Sequence, residues 1–501
     1  MEDTQFRQHC EQPSGCRWAI LALTCLGVFG KYFAYDTPAV LSKQLEQQLI
    51  PTSMSEVLSQ ATTVVGIADL NPATPEEEDF NYHYNLLYSF YATPNILLPL
   101  FMGAAVDAYG CHWWIVFLGL LVVIGVDMFA SGVAESNWTV MLAGRTIFGI
   151  GGESLQIAQY CMLFRWFQGQ EVSFALGMVI SFSRLGLLCN SFCSPAVASR
   201  LGMTAAFWLD LVFCCVSFAC NVLSVCVDRS YNTKPAVEAS SGASPLAGIS
   251  QLSRTFWLLV AVCVLLTCGV LPFTIVAVSI FEMSSQALPY MYLAPVIGSP
   301  IFGGIVDIVG LRSHFLLASS LMLSFCYLTI LMTPAWVSML ELGVVYMVFS
   351  GSIWPALALA VPEKKVGLAY GIALCFTNAG LALAPLLVSY LELHVNLIYP
   401  NREQHLEVVL FFVLLGLAGI VLSLAIHVTN KIQYGVLDMP ACQAQRQKLS
   451  VESRPLAAKT FHYNSCGNDH RHSDSPPEVG CPRTSRMPLP AGEAQMPAPA
   501  G

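Results

Sequence analysis

The chain has 501 residues, of which 55% are hydrophobic and 11% charged, and its formal net charge is −9. Apolar runs that repeatedly exceed 18 residues exclude a soluble globular domain. The net charge says little about partners, because much of it lies in loops and tail, and no nucleic-acid partner is expected.

Residues 1–17 read as a short N-terminal tail. Apolar runs follow near 18–41, 84–106, 112–133, 139–164, 172–195, 205–226, 255–281, 288–308, 314–333, 336–360, 366–391 and 406–428. Twelve spans of an all-α membrane protein are predicted, since runs of this length interrupted by Gly and Pro do not suit transmembrane strands. The first run is too long for a signal-peptide core and lacks an A-x-A-like cleavage site, so it reads as a signal anchor. Residues 42–83 form the largest loop and carry the acidic run Glu76 to Asp79. The polar stretch 228–254 reads as a linker between two lobes, 18–227 and 255–428. Residues 429–501, rich in Pro, Ser and Ala, are expected to be a disordered tail.

Ten basic residues near the membrane lie on the N-terminal side: Arg7, Arg17, Arg165, Arg229, Lys234, Arg254, Arg312, Lys364, Lys365 and Lys431. Three lie opposite, Lys43, Arg200 and Arg402, which predicts both termini in the cytosol. The 18 cysteines are scattered through apolar helices without C-x-x-C spacing and read as small packing residues. His470 and His472 in the tail lack a second ligand cluster, so no metal or other cofactor is expected. No G-x-x-x-x-G-K-[ST], H-E-x-x-H or G-x-S-x-G occurs, which argues against an enzyme and against ATP as the energy source.

Two stretches recur. "GAAVDAYG" (Gly103 to Gly110, with Asp107) returns as "GGIVDIVG" (Gly303 to Gly310, with Asp307), and "GMVISFSRLG" (Gly177 to Gly186) as "GIALCFTNAG" (Gly371 to Gly380). Six spans repeated once in the same orientation make a parallel repeat. G-x-x-x-D-x-x-G in both halves, with R-x-x-x-G-x-G at Arg145, Gly149 and Gly151, resembles the major facilitator superfamily. The resemblance implies a two-lobed transporter in which Gly103, Asp107, Gly110, Gly303, Asp307 and Gly310 belong to the gate. After Asp107 this chain reads "AYGCHWW", with only His112 where basic residues are usual, whereas Arg312 follows Asp307.

The stretches "YFAYDTPAVL" (Tyr32 to Leu41), "YSFYATPNILLPLFMGAAVD" (Tyr88 to Asp107), "GRTIFGIGGESLQIAQ" (Gly144 to Gln159) and "SFSRLG" (Ser181 to Gly186) resemble the branch of the superfamily containing the lysosomal dipeptide transporter. That implies dipeptide cargo, a lysosomal membrane rather than the plasma membrane, and a glycosylated accessory membrane protein.

Charges inside a membrane are expensive and usually face a partner or a watery cavity. Lys31, Glu153 and Arg184 lie near mid-span, the depth at which such transporters bind substrate. A zwitterion suits them, with its ammonium on Glu153 and its carboxylate in the fork of Arg184. A Glu153–Arg184 bridge is the structural alternative. The resemblance gives the same two roles to these motif positions. Lys31 departs from the pattern, and either joins the substrate carboxylate or pairs with Glu153. Tyr32 and Tyr35 offer cavity hydroxyls, as do Tyr88 and Tyr91, against a plain packing role. Asn378 occupies the repeat position of Arg184 and, with "SGSIWPA" (Ser350 to Ala356), is a candidate lining residue.

Asp36, Asp127 and Arg145 are shallower. Arg145 is expected either to lock the first lobe by pairing with Asp36 or Asp127, or to take part in coupling. "YGVL" (Tyr434 to Leu437) fits a tyrosine sorting signal, and the sequon at Asn137 sits in a very short loop. A sugar or organic-anion transporter and a non-transporting receptor or scaffold are the rival readings.

Overall fold

The computed structural model describes residues 14–49, 75–168, 171–231, 249, 252–279, 287–330, 332–398, 406–432 and 435–452. Among them all regular structure is helical. Lipid offers no hydrogen-bond partner, so a spanning backbone must satisfy itself, as a helix does. In chain order the helices are α1 (Ser14–Val40), α2 (Ser42–Leu49), α3 (Pro75–Ala92), α4 (Leu98–Tyr109), α5 (Cys111–Ala134), α6 (Trp138–Phe167), α7 (Val172–Leu201) and α8 (Met203–Tyr231). The second half continues with α9 (Arg254–Ser279), α10 (Tyr290–Val309), α11 (Arg312–Thr329), α12 (Ala335–Leu359), α13 (Val366–Ile398), α14 (Leu406–Ile432) and α15 (Ala441–Glu452).

Nine of the described helices are long and apolar enough to cross a membrane, or ten when α3 and α4, meeting at 44°, count as one span. Helices α6 and α11 carry the arginine, glutamate, glutamines and serines that make them more polar. With these two, the set is consistent with the twelve spans read from the sequence. Asn137 caps α6 by accepting from the N–H groups of Thr139 and Val140, at 3.0 and 3.4 Å.

The helices pack as two bundles. In the first, α5 lies on α6 and α8, α1 on α7 and α8, and α3 on α6. In the second, α10 lies on α12, α11 on α12 and α14, and α9 on α13 and α14. Two seams join the bundles, α7 against α10 and α4 against α13.

Prolines shape both seams. A 3₁₀ turn at Thr93–Ile96 separates α3 from α4, and the Asn95 carbonyl lies four residues before Pro99, which has no N–H to offer it. Asn378 of α13 supplies the donor instead, at 3.1 Å. On the other seam the Val296 carbonyl lies four residues before Pro300, and the Ser181 hydroxyl of α7 donates to it. Each break in a helix is therefore closed by a side chain from the opposite bundle.

The tail departs from expectation. Residues after α14 are not wholly disordered, because Val436–Asp438 form a 3₁₀ turn and α15 packs on α10 and α12. Leu437, Ala441 and Ala444 are buried, giving this segment the apolar anchor that its average composition hides. Of the sorting-signal motif, only its apolar end is seen among the described residues. Leu437 is 3% exposed and its N–H donates to the Asn430 side chain, so it does not present an extended strand. Tyr434, most of the linker, and residues 453–501 with His470 and His472 lie outside the described residues.

Candidate functional site

The duplicated motifs meet in crossed pairs at one end of the bundle. Asp107, in the last turn of α4, accepts from the N–H groups of Gly367 and Leu368 at 2.8 and 2.7 Å, at the start of α13. Asp307, in the last turns of α10, accepts from the N–H groups of Ser173 and Phe174 at 3.0 and 2.8 Å, at the start of α7. Each carboxylate thus caps a helix of the other bundle, where orphan N–H groups and the helix dipole favour an anion. Gly110 and Gly310 end α4 and α10 at φ of 81° and 76°, a turn that glycine makes without strain.

The backbones touch across the seams. A Cβ at Gly371 would stand 2.3 Å from the Pro99 carbonyl, and one at Gly177 would stand 2.4 Å from that of Ser299. A Cβ at Gly103 would likewise stand 2.2 Å from the Gly367 carbonyl, and one at Gly303 would stand 2.3 Å from that of Ser173. The two stretches that repeat in the sequence are therefore the two halves of each seam.

Basic partners differ between the bundles, as the motif sequences lead one to expect. Arg312, almost wholly buried, holds Nη2 3.7 Å from Asp307 and donates to the Met439 carbonyl at 2.9 Å. No ion pair reaches Asp107 among the described residues. His112 instead bonds Asp228 of α8, where Arg165 stands 3.8 Å away and the Trp166 indole donates.

Farther along, near the middle of α6, Glu153 meets two neighbours. The Tyr91 hydroxyl donates to its Oε1 at 2.8 Å, and Lys31 Nζ stands 3.8 Å from the same oxygen. Lys31 also donates to the Gly152 carbonyl at 3.1 Å and to Gln156 Oε1 at 3.3 Å, with its ammonium 4.3 Å from the Tyr32 ring centroid. The Tyr32 hydroxyl donates to Gln156 at 2.8 Å, and the Gln156 amide passes a bond to Tyr160 at 2.8 Å. Tyr35 packs its ring edge-on against Tyr91, 5.0 Å between centroids. Of the two uses left open for Lys31, the pairing with Glu153 is the one realised here.

Arg184 stands apart from that group. Its guanidinium lies 4.2 Å from the Tyr346 ring centroid, and Nη2 donates to the Tyr346 hydroxyl on α12, in the other bundle. Its Nε is buried and has no hydrogen-bond partner among the described residues. No ion pair joins Arg184 to Glu153, so the bridge considered as a structural alternative is not formed. Asn378, at the repeat position of Arg184, is engaged at the seam with Asn95 rather than with this cluster.

The shallower set is also corrected. Arg145 pairs with neither Asp36 nor Asp127. Both ends of its guanidinium donate to the Tyr35 carbonyl, at 3.3 and 3.2 Å, and it lies 4.8 Å from the Phe129 ring centroid. Asp127 points outward on α5 and is exposed. Phe129, Phe148 and the carbonyl occupy the Arg145 head instead, and Asp210, bonded to Thr37 at 2.8 Å, lines the same crevice.

Gln156, Tyr346 and Asp210 were not singled out from the sequence. Gln156 had a signal, three residues after Glu153 and so on the same helix face. Tyr346 had none, because only folding brings α12 to α7.

A model of the Major Facilitator Superfamily matches residues 50–294 and 285–433. The human lysosomal dipeptide transporter MFSD1 is 27% identical over 461 residues, 87% of this chain and 90% of that protein. The bovine protein of that name is 28% identical over 466 residues, with the same coverage. Among solved structures, the human organic anion transporter MFSD10 (TETRAN) is similar with a TM-score of 0.59 at 14% identity, covering 82% of this chain and all of that one. The transporter FucP in its outward conformation gives 0.57 at 13% identity, covering 81% of this chain and 98% of that one. At such identities the solved structures speak for the fold.

Proposed function

Since this chain belongs to the major facilitator superfamily and is a multi-pass membrane transporter, we propose that its cargo is a small zwitterion, with dipeptides the foremost class. One observation carries the reading. Glu153 and Arg184 have separate partners, Tyr91 and Lys31 of the same bundle for Glu153 and Tyr346 of the other bundle for Arg184, and do not neutralise each other. A cargo ammonium takes its place beside Glu153, joining or displacing Lys31. The cargo carboxylate takes Arg184, whose unpartnered Nε completes a bidentate fork with an Nη. Tyr32, Tyr35 and Tyr91 shape the wall between them.

Rocking of lobes 18–227 and 255–428 about the two seams alternates access to this site. The excess of basic residues at the Asp107 end supports a cytosolic placement of both termini. Similarity to the lysosomal dipeptide transporters supports a lysosomal address; export towards the cytosol and a glycosylated accessory membrane protein are further parts of the proposal.

The test is uptake of a mixed dipeptide pool into proteoliposomes, wild type beside Glu153→Gln and Arg184→Ala, with and without an imposed pH gradient. Loss in both variants, with N-acetylated dipeptides refused by the wild type, supports the assignment; wild-type rates in both variants sink it. The gradient separates uniport from proton coupling. An organic-anion cargo is the second reading, favoured by two cations, Lys31 and Arg184, against one Glu153. It requires transport that survives Glu153→Gln and fails in Arg184→Ala.

A further inference from the structure

Three side chains far apart in the sequence meet where α14 ends. His314 stands in the first turn of α11, His427 lies in the last turns of α14, and Asp438 closes the 3₁₀ turn that follows. His314 Nδ1 is 3.7 Å from Asp438 Oδ1, His427 Nδ1 is 3.8 Å from Asp438 Oδ2, and all three ligand atoms lie within 4.8 Å of one another. The imidazole rings pack edge to face, 4.5 Å between centroids. We propose that His314, His427 and Asp438 form a binding site for a divalent transition metal of the zinc class, which fastens the segment after α14 to the start of α11.

Two imidazoles and one carboxylate are a donor set that such metals favour and that Ca²⁺ and Mg²⁺ do not. Zinc bonds of about 2.0–2.2 Å to nitrogen and oxygen place neighbouring ligand atoms about 3.4 Å apart in a tetrahedron, so the two histidine–aspartate separations, 3.7 and 3.8 Å, close with shifts of a few tenths of an ångström, and the two imidazole nitrogens, within 4.8 Å, close by ring rotation. The carboxylate accepts from the Ser313 N–H at 3.0 Å, from the Ser313 hydroxyl at 2.7 and 2.8 Å and from the Asn430 amide at 2.8 Å; the same hydroxyl lies 3.0 Å from His427 Nδ1, and turning this one hydroxyl away frees both ligand atoms for a metal. Those bonds orient Asp438 as outer-shell partners orient a ligand. His314 is 48% exposed, which gives the ion a way in and leaves a position for water.

The other His-containing trio with suitable spacing, Cys111, His112 and Asp228, already holds a cation. The Arg165 guanidinium lies 2.6 Å from Cys111 Sγ and 3.8 Å from Asp228.

What the metal would secure is the strap that continues into α15. Gln445 of α15 donates at 2.9 Å to Glu363, which also accepts from Gln168 in the loop between α6 and α7. The strap thereby reaches a residue that spans both bundles.

The experiment titrates Zn²⁺, and separately Co²⁺, into the purified full-length, chelator-stripped protein, reading heat and the visible absorption of bound cobalt. One saturable equivalent is expected in the wild type. It should weaken roughly 10–100-fold or more in His314→Gln and in His427→Gln, since losing a ligand costs at least what losing its outer-shell partner does. It should persist in a His470→Gln, His472→Gln double variant. In the wild type alone, Zn²⁺ should slow hydrogen exchange over residues 436–452, a readout that no variant's folding can confuse. The proposal is overturned by no saturable equivalent, by unchanged affinity in the two single variants, by loss of binding in the tail variant, or by unchanged exchange over 436–452.

Discussion

The seams and the mid-depth cluster are built on opposite rules. At the seams the two bundles copy each other: Asp107 caps α13 as Asp307 caps α7, and Gly371 meets Pro99 as Gly177 meets Ser299. In the middle the copy fails. Arg184 faces Tyr346 across the path, whereas its repeat partner Asn378 closes a proline-broken carbonyl. The repeat is kept where the bundles meet and lost where the charges stand. Under the proposed function the division has a reason, since a rocking motion treats both lobes alike while a zwitterion has two unlike ends.

Breaking the asymmetric part should have the largest effect. Charge-assisted bonds contribute about 1.5–3 kcal/mol each, so Glu153→Gln or Arg184→Ala should cut uptake by roughly 10–150-fold. Asn378→Ala should reduce it only a few-fold, and equal losses at Arg184 and Asn378 would erase the asymmetry. Breaking the symmetric part comes next. Gly371→Val and Gly177→Val each drive a side chain against a carbonyl, and both should block closure of the Asp107 end to a similar extent. Cysteine cross-linking across each seam, quantified beside uptake, checks this.

A smaller effect sharpens the one difference within the seams. Asp307→Ala strips the carboxylate from a buried Arg312, a loss of about 3–5 kcal/mol when a buried charge is left unpaired. Asp107→Ala removes only caps, about 1–2 kcal/mol. Thermal unfolding in detergent should rank the two in that order. Smallest of all, Tyr434→Ala should leave the protein's destination unchanged in localisation imaging, because Leu437, the apolar half of that motif, is packed inside.

How much of this was legible in the sequence depended on whether a signal was local or spatial. The spans and the repeat, whose motif residues lie at the seams, could be read because hydropathy and motif spacing are carried along the chain. The departure at His112 could also be read, and its consequence, an Asp107 without a basic partner among the described residues, follows. The partners of Arg145 were misjudged. Proximity in depth does not say which way a helix turns its face, and Asp127 faces outward while the Tyr35 carbonyl faces in. Tyr346, Asp210 and the His314, His427, Asp438 group join elements more than a hundred residues apart or separated by a reversal of the chain, where no periodicity points. The folded strap was hidden by averaging, since a few buried residues, Leu437, Ala441 and Ala444, sit in a stretch that reads as polar.

Where peptide groups meet at glycine there is no rotamer to reset, so opening the sealed end requires no side chain to leave a packed niche. Beside the Asn378, Ser181 and Gln168 bonds between the bundles, what resists at the seams is the pair of aspartate caps on helix N–H groups, about 1–2 kcal/mol each, or about 2–4 kcal/mol together. A gap of that size lies within reach of the differential affinity of one bound solute, since about 5.5 kcal/mol carries a two-state equilibrium from one extreme to the other. Under the proposed function, the cargo itself supplies enough to reset the latch.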